Sequence, residues 1–229
     1  MVVRGTVLFD TQPRTVMLRS ERIAKQVQKR LVAWQTPGVK LIVGIDGYAG
    51  AGKSTVADYI ATESHDVLAV HLDDFIRPLQ TRKRLMARAE DKAALFEREW
   101  YRYRDLERLL RAFACGKNGK MRFWIYDYDK NALGPQKSFD LSKRVLVIDG
   151  VFLFHPRHTL STLIDRKIYL AADFARADVR RIAREKKRWG AAYIPENHPD
   201  NWTRHFKKAY RRYVRTHKPE QQADVVYRV

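Results

Sequence analysis

A nine-residue stretch, GYAGAGKST from Gly47 to Thr55, constrains this chain more than any other feature. It fits G-x-x-x-x-G-K-[ST] at Gly47, Gly52, Lys53 and Ser54. The glycines let the backbone curl until successive N–H groups point into one concavity. A helix starting there adds its partial positive charge. The expected product is a phosphate cradle. Tyr48, Ala49, Gly50 and Ala51 line it with backbone, Lys53 reaches the β- and γ-phosphates, Ser54 ligates Mg²⁺, and Thr55 extends the helix start. The motif requires an apolar strand before it and a helix after it, and KLIVGID and STVADYIATE supply both.

The same reading extends along the chain. VKLIVGID, VLAVHLD, RVLVIDG and RKIYLAAD are short apolar runs separated by helical patterns around 53–63, 85–114 and 176–188. Strands alternating with helices predict a doubly wound α/β domain with a mostly parallel sheet, of the P-loop NTPase kind. ADVVYRV reads as a closing strand, and CGKNGK as a turn before MRFWIYDYD. The P-loop domain is expected over 39–229. Residues 1–38 form an extension, in which GTVLFDT suggests a short strand. SERIAKQVQKRLVAWQ suggests a packing helix with Ser20 as its N-cap. With 45% apolar residues in 229, the chain can bury a core. It lacks the roughly 18 consecutive apolar residues of a membrane span. Cys115 is alone, so no disulfide framework is expected, and a cytoplasmic setting fits. His155 and His158 flank a loop without metal-ligand spacing.

Each of the four runs carries a carboxylate at or beside its end: Asp46, Asp73, Asp149 and Asp173. Ligands of open α/β sheets bind at the carboxyl ends of strands, so polar chemistry is expected there. No guanine-reading N-K-x-D motif is present, and helicase or transporter ATPases are usually longer. In LDDF, either Asp73 or Asp74 could accept the proton of an attacking hydroxyl, the other capping the following segment. Asp149 is a candidate Mg²⁺ ligand.

Taken in order, GYAGAGKST, LDDF, YDY, VIDGV, DRKIYLAAD with its following arginines, and ADVVY resemble the uridine kinase group of P-loop kinases. That group is related to phosphoribulokinase and pantothenate kinase, and the likeness covers about residues 39–229. It implies an ATP- and Mg²⁺-dependent kinase acting on a primary hydroxyl, most simply the 5′-hydroxyl of uridine or cytidine. On this resemblance Asp73 is the base, with Asp74 in a variable place, and Asp149 stands for the family's glutamate. Tyr126, Asp127 and Tyr128 match a segment that contacts the nucleoside, while Asn131 stands where a histidine is expected. Glu99 falls near a sugar-contacting acid. Other small alcohols remain open as acceptors: a sugar, a glycerate-like acid or a pantothenate-like alcohol.

The net charge of +19 is concentrated. From Arg176 to Lys218 there are fourteen Lys or Arg against four Asp or Glu, a net of +10. Arg176, Arg180, Arg184 and Arg188 recur every four residues and share one helix face. In the resembling kinases this region is a lid whose arginines, here Arg180 and Arg184 above all, close on ATP. Arg181, Lys186 and Lys187 are expected on a solvated face. Phe206, Tyr210, Tyr213 and Val214 make an apolar stripe expected in the core, with Lys207, Lys208, Arg211, Arg212 and Arg215 opposite. A basic chain can also bind nucleic acid, so a nucleic-acid-associated NTPase or regulatory nucleotide-binding protein stands as the alternative. A homo-oligomer is compatible with the sequence.

Overall fold

The computed structural model describes residues 12–199 and 201–229. Five strands form one parallel sheet in the order β2-β5-β1-β6-β7. They are β1 (Leu41–Gly47), β2 (Val67–His71), β5 (Val145–Gly150), β6 (Arg166–Ala171) and β7 (Val225–Arg228). Every residue of β1 and β5 is buried, as expected of central strands covered on both faces. Side chains alternate between two cores. Val145 and Val147 pack with α1 (Gln12–Trp34) and α2 (Lys53–Glu63), whereas Leu146 and Ile148 join the larger core on the other face. That core receives Leu106 and Leu110 of α5 (Tyr103–Ala114), and Tyr210 and Tyr213 of α8 (Thr203–His217). The aromatic stripe of α8 therefore lies in the core. Because β1 lies between β5 and β6, the loop leaving it opens over the crevice where chain connections diverge.

The periodic segment 85–114 is three helices rather than one: α3 (Leu79–Arg88), α4 (Lys92–Arg98) and α5. Asp91 stops the first continuation by capping α4, accepting from the amides of Ala93 (3.1 Å) and Ala94 (3.3 Å). Tyr101, which pairs with Ile76 as an isolated bridge, interrupts the second. Beyond α5 an antiparallel hairpin, β3 (Lys120–Asp127) and β4 (Ala132–Asp140), lies apart from the main sheet. Residues 5–11, with the strand expected there, lie outside the described residues. Ser20 is not an N-cap, because α1 begins at Gln12 and places it inside the helix. Its hydroxyl stands beside Gly52 instead. As expected, α1 is a packing helix, with Ile23, Val27 and Leu31 buried against α2 and the sheet.

Candidate active site

The loop between β1 and α2 is held from two sides. Gly50 has φ 85°, and a Cβ there would stand 2.3 Å from the carbonyl oxygen of Ala177. Only glycine meets both the left-handed backbone and that close approach. Ala177 belongs to α7 (Phe174–Trp189), whose N-cap Asp173 accepts from the amide of Arg176 at 2.9 Å. Beneath the loop Asp46 is fully buried. It accepts from Tyr213 Oη (2.6 Å), from the Gly47 amide (2.6 Å) and from the Phe154 amide (3.3 Å). Burial pushes its pKa up to about 6, against the pull of those donors and Lys53.

Lys53 is buried, and its Nζ donates to the Tyr48 carbonyl at 2.9 Å. Burial pulls its pKa down, while Asp149, Asp46 and Asp73 favour the cation. Ser54 Oγ donates to Asp149 Oδ2 at 2.7 Å. The other oxygen of Asp149 meets His71 Nδ1, and His71 Nε2 lies 3.0 Å from Asp58 on α2. Burial disfavours the imidazolium, but the bonds to Asp149 and Asp58 outweigh it and push the His71 pKa up to about 10. Sequence reading missed His71. The signal lies in sheet order: β2 and β5 are neighbours and pair His71 with Asp149 in register.

The two adjacent aspartates diverge. Asp74 is held by Lys137 Nζ of β4 at 2.7 Å. Asp73 feels the charges of Asp149, Lys53 and Arg184, and Tyr128 hydrogen-bonds it. Surrounding protein pushes the Asp73 pKa up, and the charge of Asp149 adds to this. The residue is nonetheless exposed, so water moderates the push.

Helix α7 brings the arginine stripe to the loop. Arg180 Nε donates to the Gly50 carbonyl at 2.8 Å, the Arg188 guanidinium lies 4.2 Å from the Tyr128 ring centre, and Arg176 is exposed close to Arg180. Arg181 corrects the sequence reading. It is 3% exposed and pairs with Asp178 (3.2 Å), Glu185 (2.8 Å) and Glu196. Lys207 of α8 completes the cluster, 2.6 Å from Asp178 and 2.8 Å from Glu196. Lys186 and Lys187 are exposed as expected.

On the acceptor side, Tyr126 Oη donates to Asn131 Oδ1 at 2.7 Å, and Arg82 Nη2 donates to the same hydroxyl. Asp127 accepts from the amides of Asp129 (2.9 Å) and Lys130 (3.1 Å) and so shapes the hairpin turn. Glu99 is exposed at the end of α4, its carbonyl accepting from Arg77 Nε at 2.7 Å. The buried acid nearby is Glu97, paired through both oxygens with Arg212 at 2.9 Å.

Ser54 and Asp149 fit a bound Mg²⁺. Both offer hard oxygen donors at one point, and Mg²⁺ takes one or two protein oxygens with phosphates and water completing its shell. Among the described residues no group of three or more His, Cys, Asp or Glu is arranged to hold a metal alone.

A phosphate loop at the carboxyl end of a parallel sheet, faced by strand-tip carboxylates and crossed by an arginine-bearing helix, is the architecture of the P-loop kinases. Comparison narrows the class: the model of the phosphoribulokinase / uridine kinase family matches residues 42–229, and the chain belongs to that family. It is 30% identical over 160 residues to a uridine kinase of Saccharomyces cerevisiae, covering 66% of this chain and 30% of the yeast protein. A uridine kinase of Staphylococcus epidermidis is 28% identical over 156 residues, covering 65% and 70% respectively. The chain thus spans less than a third of the yeast relative's length. In fold it resembles a possible uridine kinase from Bacillus stearothermophilus, with a TM-score of 0.66 at 21% identity, covering 92% of this chain and 98% of that one.

Proposed function

We propose that this chain transfers the γ-phosphoryl group of ATP to the 5′-hydroxyl of uridine or cytidine. The observation that carries the reading is the meeting of Asp73, Lys53 and Asp149 around one cleft, with Tyr128 of the hairpin reaching Asp73. Family membership and the likeness to uridine kinases support the same acceptor class.

In this mechanism the loop amides and Lys53 hold the phosphate chain and neutralise charge as it shifts toward the leaving ADP. The acceptor oxygen bonds to the γ-phosphorus, the bond to the β–γ bridging oxygen breaks, and the acceptor's proton passes to Asp73. An upward-pushed pKa suits that role, since a stronger base takes the proton more readily. Arg180 and Arg184 approach the γ-phosphoryl group from α7. Ser54 and Asp149 would hold Mg²⁺, which supplies charge neutralisation on the phosphate oxygens.

The test is a panel of nucleosides, sugars and hydroxy acids scored for ATP-dependent phosphorylation. Uridine or cytidine should be converted to the 5′-monophosphate at millimolar concentration or below. Conversion of another alcohol, with neither nucleoside turned over, would overturn the acceptor while keeping the kinase. ATP turnover driven by RNA or DNA instead would overturn both.

A further inference from the structure

Arg82 of α3 has an environment that its place in the fold does not require. Its guanidinium is half-buried and lies between two rings, 5.0 Å from the Trp100 centre and 5.1 Å from that of Tyr126. Nε donates to the Arg77 carbonyl at 2.9 Å and Nη2 to Tyr126 Oη. Among the described residues no carboxylate balances its charge, and Nη1 donates to no protein atom while remaining open to solvent. Ring faces stabilise a guanidinium but do not satisfy its N–H groups. Held by the two rings and two hydrogen bonds, the guanidinium presents Nη1 as an oriented donor that can take an oxygen from outside the chain.

Its position says which molecule would bring that oxygen. Tyr101 and Tyr128 each lie within electrostatic range of both Arg82 and Asp73. Two aromatic side chains therefore stand near both the base and the guanidinium. An acceptor whose hydroxyl reaches Asp73 would extend its far end toward Arg82 over those rings. We propose that Arg82 determines acceptor specificity by donating from Nη1 to an oxygen at the acceptor's end remote from the reacting hydroxyl. In a pyrimidine nucleoside this selects the C4 carbonyl of uridine over the C4 amino group of cytidine. Arginine has donors only, so an amino group there leaves two sets of N–H groups facing each other. This inference rests on the acceptor reading of the same site.

The test compares kcat/KM for uridine and cytidine in the full chain, Arg82→Met and Arg82→Lys, with nucleotide binding measured separately by calorimetry. A hydrogen bond from a charged donor predicts that the wild type favours uridine by about 10- to 100-fold. Arg82→Met should bring that ratio close to one, mainly through the KM for uridine, with ATP affinity retained. Arg82→Lys keeps a cation but loses the planar fork, and should restore only part of the preference. If Arg82 merely props Tyr126, both nucleosides suffer equally and the ratio stays put, which overturns the proposal. So does a wild-type ratio near one. If the wild type binds ATP yet phosphorylates neither nucleoside, the acceptor reading falls first. Arg82→Met must then raise the KM of whichever acceptor the panel identifies by at least about 10-fold, and an unchanged KM refutes the role of Arg82 independently.

Discussion

Replacing Tyr213 by Phe removes one oxygen from the core and tests how the phosphate loop is supported. Tyr213 Oη donates to Asp46 at 2.6 Å across 167 residues of sequence, and also accepts from the Phe154 amide at 3.2 Å. Without it, Asp46 Oδ2 keeps only the 3.3 Å contact from Phe154. Asp46 is already strained electrostatically. Burial moves its pKa from 3.8 to about 6, so ionising it in the folded protein costs on the order of 3 kcal/mol. The sign follows directly. The folded acid holds its proton more tightly than the unfolded one, so this contribution favours the native state below pH 4 and is lost as pH rises through 6. Loss of the Tyr213 donor pushes the folded pKa higher still, and the penalty on the variant therefore grows with pH. At pH 8 a charged hydrogen bond is missing, worth about 2–3 kcal/mol, whereas at pH 5 only a neutral one is, worth about 1 kcal/mol. For a chain of this length each kcal/mol lowers Tm by about 2–4 °C. Thermal unfolding followed by circular dichroism should show Tyr213→Phe falling by roughly 5–10 °C at pH 8 and roughly 2–4 °C at pH 5. In an Asp46→Asn background the dependence on pH should vanish. Equal losses at the two pH values, or no loss at pH 8, would refute the buried-carboxylate reasoning.

Lys53→Ala should lower kcat by at least about 10²–10³ in a protein that still folds, because developing charge loses its buried partner. Stopped-time phosphoryl-transfer assays would detect near wild-type turnover, which would be fatal to the mechanism. Asp73→Asn should depress kcat with ATP affinity retained, since the base acts in the transition state. Asp74→Asn frees Lys137 instead and should cost less than about 1 kcal/mol of stability with little change in turnover. The reverse ranking would show that the two aspartates exchange roles. Gly50→Ala must relieve a Cβ 2.3 Å from the Ala177 carbonyl oxygen at φ 85°. It should lose at least about 1 kcal/mol and raise the KM for ATP, and a fully stable variant with normal ATP kinetics would contradict the tight seat of the loop on α7.

What the sequence could disclose depended on how far apart the interacting residues lie. The parallel strands were legible because strands buried on both faces are apolar runs, and the phosphate loop because its chemistry is confined to nine consecutive residues. The hairpin was not, because Gly134 and Pro135 break the strand pattern of β4. Their neighbourhood coincides with a register irregularity between Trp124 and Tyr126, where a proline without an N–H is tolerated. Arg181 and Arg180 look alike in RRIAREKKRW, yet one is buried and the other reaches the loop. What separates them is Glu196 and Lys207, well beyond the helix. The role of His71 and the hydrogen bond of Tyr213 to Asp46 were invisible for the same reason, although Tyr213 was legible as a core residue. His71 meets a carboxylate of the neighbouring strand and Tyr213 reaches one from helix α8, contacts that exist only once strand order and helix packing are known.

The positive charge of the segment from Arg176 to Lys218 divides along the same lines. Arg181 and Lys207 are spent on Asp178, Glu185 and Glu196, and Arg212 on Glu97 and Asp91, so these cations hold α7, α8 and α4 together. Arg180 and Arg184 face the loop, where Lys53 already stands among three carboxylates. A polyphosphate entering there meets cations whose fields converge from the loop and from α7. Arg204, Lys208, Arg211 and Arg215 are the exposed basic residues of α8, spaced along one helical face. A face of that kind attracts any polyanion weakly and in a salt-dependent way. The basic residues of this segment thus serve two local needs, ion pairs between helices and cations turned toward the phosphate loop, while four more lie on the exposed face of α8.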